Sequence, residues 1–507
     1  MAWPDLLVIL LYLALTLALG LAVSRRAVRS ADDYFLGARN LPAGAVMLSI
    51  VATETSALTV ISLPGIAARG DWTFLQLAFG YVIGRIGVAW WLLPGYFSGA
   101  QQTAYQRLEA RFGVLTRRCL STVFLVTRFL ADGVRIFAGA IPLALVTGWD
   151  VGWAIVVMGA VTLAYTFVGG LKAVVWADAL QLCVYVAGGA VALSIALQMA
   201  GGLDAVWAQA DAAGKLRLLD LSLSPSVPLT LLGGLVGGAL LSAASHGTDH
   251  IIVQRLLATR SLRDARIALV GSGLLVVAQF TLFLALGTAL WAAGQADPAV
   301  PGDQLFPRFI VQHLPVGVAG LLMAGILAAA MSTISSSISA LASSVTSDLY
   351  AGLRRRRASE AEEAAHLLRA GRWFSLLWGV LLTAAAVGFH ALAAGRDTPV
   401  VVLALSIASV TYGALLGAYL LAGWRGAAVD GRDVITGAAG AVLLMLGVVF
   451  AARLAALPAL AALEPVLASV GRLAFPWYVP LGTALTVALA WASVGVRAFS
   501  ARRSPPA

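Results

Sequence analysis

Runs of about 20 consecutive apolar residues recur along the whole chain, and each is long enough to cross a bilayer as a helix. Backbone groups in hydrocarbon must be satisfied internally, which leaves bundled helices or a closed barrel. The short alternating strands of a barrel are absent from the sequence, so the helical solution stands. Composition agrees: 60% of the 507 residues are hydrophobic, only 11% are charged, and mean hydropathy is +0.90. The expectation is an all-α polytopic membrane protein.

Hydropathy places about thirteen spans, numbered here from 0. Span 0 covers roughly residues 5–23, and spans 1 to 5 lie near 42–68, 73–98, 119–147, 151–169 and 173–200. Spans 6 to 10 lie near 228–254, 265–293, 315–347, 369–393 and 398–423, and spans 11 and 12 near 433–453 and 475–496. The arginines Arg25, Arg26 and Arg29 follow span 0 instead of preceding it, the pattern of an uncleaved first span. Basic residues concentrate in alternate loops, at Arg107/Arg111/Arg117/Arg118, Lys172, Arg260/Arg263/Arg266, Arg354–Arg357 and Arg425/Arg432. The positive-inside rule then puts the N-terminus outside and the C-terminus in the cytoplasm, in a cytoplasmic (inner) membrane. The net charge of +10 reflects this topology and does not point to nucleic acid. No G-x-x-x-x-G-K-[ST] loop occurs, so transport, if that is the function, draws on a gradient.

Span 8 carries AAAMSTISSSISALASSVTS, residues 328–347, with Ser332, Ser335/Ser336, Ser339 and Ser343 on one helical stripe. Hydroxyls at bilayer depth cost free energy unless something uses them. Close helix packing is one use, and a small hard cation is another. Span 1 holds Glu54 about ten residues in, near mid-depth, among Thr53, Thr55, Ser56 and Thr59, with Pro64–Gly65 expected to break the helix. Broken helices expose carbonyls and half-helix ends where transporters bind ions and solute. Ser332 lies at a similar depth, so carbonyls of Ala52, Thr55 and Ala329 with the hydroxyls of Ser332 and Thr333 suit sodium. Asp178 in span 5 is a further intramembrane acid, suited to a cation leaving toward the cytoplasm.

Arg128, Asp132 and Arg135 share one face of span 3. One aspartate neutralises one arginine, which leaves a guanidinium for a carboxylate on the solute, or else for a structural network with other spans. Arg85 in span 2 is another intramembrane cation, with Glu54 as one possible partner. His246 and His250 are four apart, but the reading here is polar anchoring at a helix end and not a metal site.

Six blocks in order, DDYFLGARNLP, ATETSA, TAYQRLEARFG, GGLKAVVWADALQ, TDHIIVQRLLATRS and AAAMSTISSSISALASSVTSDLY, together resemble the sodium:solute symporter family over roughly residues 30–350. The resemblance implies a LeuT-like fold: two inverted five-helix repeats, spans 1–5 and 6–10, with broken first and sixth helices. It implies a transport core over 31–426, preceded by an extra helix and basic loop over 1–30 and followed by two helices and a tail over 427–507. It also implies sodium as the coupling ion, at Ala52, Thr55, Ala329, Ser332 and Thr333, and a second sodium at Asp178, Ser332, Ser335 and Ser336. HGTDH departs from the pattern of sugar-transporting members, which weakens a sugar assignment.

The function expected is sodium-coupled symport of a small polar organic solute, a carboxylate, amino acid or sugar, by alternating access. The solute site is expected at Glu54, Ser56, Thr59, Gln76, Arg128, Arg135, Ser245 and Tyr412. A proton-coupled transporter of the same fold would use Glu54 or Asp178 as proton carrier. A membrane sensor would carry a signalling domain, and an intramembrane enzyme would need a nucleophile–base or metal set; no enzymatic activity is expected.

Overall fold

The structure, a computed structural model, describes residues 3–24, 30–55, 57–99, 101–353, 359–393, 400–424 and 428–503. The basic positions Arg25, Arg26, Arg29, Arg354–Arg357 and Arg425, and the expected lining residue Ser56, lie outside them. Among the described residues the chain is made of helices and connecting loops, with no strand beyond one isolated parallel bridge between Leu41 and Thr259.

The helices that position the site follow chain order. They are α1 (Trp3–Ser24), α2 (Ala31–Leu36), α3 (Ala43–Glu54), α4 (Ala57–Arg69), α5 (Leu75–Gly87), α6 (Val114–Thr147) and α7 (Val151–Met199). Then come α8 (Gly238–Gly247), α9 (His250–Leu257), α10 (Leu262–Ala292), α11 (Val318–Ser344), α12 (Glu360–Ala393), α13 (Val400–Gly423), α14 (Gly431–Val449) and α15 (Tyr478–Arg503). Among the described residues seven helices are long and apolar enough to span a membrane, or eight with the bent pair of α3 and α4. The count of thirteen is therefore not matched helix for helix. Several expected spans are broken or short, and spans 4 and 5 run together in α7.

The 49 residues of α7 would measure about 74 Å if straight, over twice the hydrocarbon core. The helix must turn back, and it does so at Gly170, with φ 55° and ψ −156°. Only glycine adopts that backbone readily. A Cβ there would also collide with the Tyr34 carbonyl. Tyr34 of α2 bonds back to this bend, donating its hydroxyl to the Thr166 and Phe167 carbonyls at 3.2 and 3.1 Å. Gly170→Ala is expected to cost about 2 kcal/mol or more through backbone strain, beyond the displacement of α2. Thermal unfolding of the purified variant checks it, and an unchanged midpoint would contradict it.

Span 1 breaks between α3 and α4, whose axes differ by 63°. The break is not where proline suggested. Pro64 sits inside α4, where the helix continues to Arg69, and the chain leaves helical geometry at Thr55 (φ −81°, ψ 93°). Neighbouring backbone accommodates the proline: Gly287 of α10 has no Cβ to collide with the Pro64 carbonyl. Span 6 breaks in the corresponding place, with Thr248 and Asp249 non-helical between α8 and α9. Asp249 caps α9 by accepting from the Ile251 amide at 2.9 Å. The serine-bearing α11 is buried along almost its whole length and packs on α7, α6 and α12.

Candidate functional site

A cavity of about 320 Å³ lies between the two helix breaks. Thr53, Glu54 and Thr59 border it from span 1, and Ser245, His246, Ile251 and Ile252 from span 6. Ser62 of span 1, Arg128, Asp132 and Arg135 of α6, Thr333, Ser336 and Ser337 of α11, and Ser409 and Tyr412 of α13 complete its polar lining. Phe74, Leu77, Tyr81, Phe280 and Phe475 give an apolar wall. The size and mixture suit a small organic solute held by a few oriented polar groups. Gln76, expected in this lining, lies outside it. Its amide donates to the Thr73 and Leu229 carbonyls and accepts from the Asp220 amide, so it braces a loop.

Around this cavity the structure pairs charges that the sequence left loose. Arg85 is fully buried and pairs with Glu54 of the span 1 break, while its other nitrogen donates to Ser272 at 2.7 Å. His246 adds a ring nitrogen 3.5 Å from the same carboxylate. His250 turns away, accepting from the Ala104 amide and meeting Ser343 at 3.1 Å. The two histidines thus form no common site, and no group of three or more potential metal-ligating side chains occurs among the described residues.

Of the two readings of span 3, the structural network with another span describes Arg128. Arg128 is held by Asp249, at 2.8 and 2.6 Å, as well as by Asp132 at 3.3 Å. Tyr412 bridges the pair, accepting from Arg128 at 2.8 Å and donating to Asp249 at 3.1 Å. Arg128 is therefore part of the frame. Among the described residues Arg135 pairs only with Asp132, at 3.4 Å, and it keeps 21% of its side chain exposed. Asp249 was missed because its sequence position reads as a helix end, and nothing local shows that α6 lies opposite.

A second polar network lies behind the cavity. Asp178, fully buried, accepts from Ser49 at 2.6 Å, Ser332 at 2.8 Å and Arg255 at 3.0 Å. Arg255 also donates to Ser49 at 2.8 Å, Ser336 at 2.5 Å and the Ile251 carbonyl at 2.8 Å. Arg255 was not singled out from the sequence, although a cation in a buried apolar helix is a signal in itself. Along α11 the serine stripe meets α9 rung by rung: Ser336 with Arg255, Ser339 with Gln254 at 3.3 Å, and Ser343 with His250. Ser339 and Ser343 thus belong to packing against span 6. Ser337 faces elsewhere and donates to Asp132 at 2.6 Å.

The residues expected to hold the first sodium are carried by α3, its C-cap and α11. Ala52, Thr55, Ala329 and Ser332 are fully buried where α3 breaks beside α11. In the last turn of α3 the Val51 carbonyl still accepts from the Thr55 amide at 2.9 Å. Thr333 is almost buried, donates to the Ala329 carbonyl at 3.3 Å and borders the cavity. Of the second set, Asp178 and Ser332 are bonded to each other, and Ser335 and Ser336 both donate to the Ser332 carbonyl, at 3.1 and 2.6 Å.

Comparison with known proteins gives this geometry its context. The family model of the sodium:solute symporter family matches residues 34–422. The human sodium/iodide cotransporter is 31% identical over 469 residues, 89% of this chain and 70% of that protein. The sodium/sialic acid symporter SiaT of Proteus mirabilis (strain HI4320) is 31% identical, over 69% of this chain and 72% of its own. Human sodium-coupled monocarboxylate transporter 1 is 30% identical over 78% and 64% of the two chains. Among solved structures, the substrate-bound outward-open state of a Na+-coupled sialic acid symporter superimposes with a TM-score of 0.83. It is 24% identical and covers 98% of both chains, so the fold is shared. The chain belongs to the sodium:solute symporter family, as a LeuT-like multi-pass membrane transporter that couples solute movement to sodium.

Proposed function

We propose that the solute is a small organic carboxylate, taken up together with sodium from the outside of a cytoplasmic membrane. The observation that carries this reading is the contrast between the two span 3 arginines. Arg128 is saturated by Asp249, Asp132 and Tyr412, whereas Arg135 borders the cavity with one long contact. A guanidinium with donors to spare matches a carboxylate bidentately. Three guanidinium groups (Arg85, Arg128, Arg135) and three carboxylates (Glu54, Asp132, Asp249) balance at the cavity. One sodium ion and one monocarboxylate entering together preserve that balance, so neither has to be buried as an uncompensated charge. The names of several relatives point the same way, to sialic acid and to monocarboxylates.

In this reading Ala52, Thr55 and Ala329 carbonyls with Ser332 and Thr333 hold the coupling sodium beside the break of span 1. Glu54, Thr59, Ser245 and Tyr412 shape the solute site, with Arg135 as its anion anchor. Residues 31–426 form the transport core, and the chain carries out no enzymatic reaction. The N-terminus lies outside and the C-terminus in the cytoplasm. The apolar end of the cavity, at Phe74, Leu77 and Phe475, then faces outward, and the rungs between α9 and α11 close the inner side.

A thermal-shift screen of the purified protein against carboxylates, amino acids and sugars tests this, each with sodium and with choline at fixed pH. Stabilisation by a carboxylate only in sodium is the expected result. Stabilisation by a neutral sugar alone would overturn the substrate class. The double variant Ser332→Ala/Thr333→Ala is expected to lose sodium-dependent uptake while keeping its unfolding midpoint within a few degrees, because two ligands go but no charge is stranded. Uptake with the sodium dependence of the unmodified protein would remove these residues from the sodium site.

A further inference from the structure

Among the described residues, those bordering the cavity run from Thr53 to Tyr412, with one exception. Phe475 comes from the turn Phe475–Trp477, which leads into α15 and lies outside the stretch proposed as the transport core. It stands at the apolar end of the cavity with Phe74 and Leu77.

Two contacts seat this turn on the outer part of span 6. The Ala474 amide donates to the Pro225 carbonyl at 2.9 Å, in the connection that leads into span 6. Pro476 is buried and lies so close to Gly237 that a Cβ there would collide with the proline carbonyl oxygen. Gly237 closes a π-helical turn, Gly233–Gly237, directly ahead of α8. Wide turns of this kind recur where a helix is reshaped for function. From the other side, Val479 of α15 joins an apolar cluster with Ala244 of α8 and with Ala408 and Tyr412 of α13. The turn is thus keyed to spans 6 and 10, which themselves border the cavity. A phenyl ring suits such a mouth. It excludes water and, having no hydrogen-bonding atom, does not compete with the solute for Arg135.

We propose that Phe475 is the outer lid of the solute cavity and sets the size of solute admitted, carried on the outer part of span 6 by the contact between Gly237 and Pro476. The proposal rests on the reading of this cavity as an outward-facing carboxylate site, and it makes the C-terminal helices part of solute recognition. In alternating access the outer part of span 6 moves against the spans facing it, and a turn locked to its glycine moves with it. A side chain that merely packed would affect every solute alike, whereas a lid discriminates by length.

Thermal stabilisation of the full-length protein in sodium by straight-chain monocarboxylates, acetate to octanoate, tests this. Phe475→Ala is expected to bind the longest acids about tenfold more tightly than the unmodified protein does, the worth of a methylene that finds room, and the shortest acids more weakly. Phe475→Trp should shift the preference to shorter acids. Gly237 does not border the cavity, yet Gly237→Ala should reproduce the Phe475→Ala profile by displacing the turn. A length profile in Phe475→Ala that is unchanged, or changed by one factor for all acids, would overturn the lid. An unchanged profile in a folded Gly237→Ala would overturn its seating on span 6. A second measurement needs neither a carboxylate nor Gly237→Ala. Phe475→Cys, in a chain with Cys119→Ala and Cys183→Ala, is labelled from outside with a membrane-impermeant maleimide. The rate should differ several-fold between sodium and choline, because the mouth opens and closes with the state of the transporter. Equal rates would overturn the lid. Should none of the acids bind the unmodified protein while labelling still follows sodium, the carboxylate reading falls and the lid stands.

Discussion

Asp178→Asn is expected to abolish transport and to destabilise the protein by about 3–5 kcal/mol, the cost of stranding a buried charge. The stranded group is Arg255, which is fully inaccessible and, among the described residues, bonded only within this network. An asparagine can still accept from Ser49 through its one oxygen while its amide nitrogen donates to the Ser332 hydroxyl, so hydrogen bonding alone would predict a small effect. The charge argument is tested by adding Arg255→Gln. The double variant removes both charges and should recover much of the lost stability, because a buried ion pair adds little over a neutral pair that fits. It should not recover sodium-dependent uptake if Asp178 is the cation ligand. Unfolding midpoints and uptake rates for the two single variants and the double form a complete cycle. A double variant no more stable than Asp178→Asn would mean that shape and hydrogen bonds, and not charge, hold this region.

This network marks how far the sequence could be read. The helical class, the membrane setting and the orientation of the serine stripe depend on composition and periodicity, and both are visible in one dimension. Asp178 and Ser332 were legible because an acid and a run of hydroxyls at bilayer depth call for a partner. The partner itself was not. Arg255 is separated from Asp178 by 77 positions, and its pairing depends on α9 lying against α7 and α11. The same holds for Asp249, which lies 121 positions from Arg128. Pro64 misled for a related reason. Proline weakens a helix locally, but whether the helix breaks there depends on neighbours, and the glycine-lined contact with α10 lets it continue. The actual break at Thr55 has no proline or glycine at it, and nothing in its local sequence announces it.

The sharpest functional contrast should come from the two arginines of α6, seven positions apart on one face. Arg135→Gln is expected to leave the protein folded and to weaken uptake of a carboxylate solute by about 10- to 100-fold. That range is the value of a charge-assisted hydrogen bond, about 1.5–3 kcal/mol. Arg135 is partly exposed and its one ion pair is long, so little of the fold depends on it. The fall should appear as a raised solute KM with the sodium dependence kept. Arg128→Gln should behave in the opposite way. It strands Asp249, which is fully buried and also caps α9, and it removes the donor that orients Tyr412. Destabilisation of about 3–5 kcal/mol is expected, with loss of transport as its consequence. Substitution by lysine separates the two further. Arg135→Lys should keep part of the anion affinity as a point charge, while Arg128→Lys cannot span Asp249, Asp132 and Tyr412 together. If Arg135→Gln unfolded the protein while Arg128→Gln merely raised KM, the roles assigned here would be exchanged, and the solute's anionic group would belong against the break of span 6.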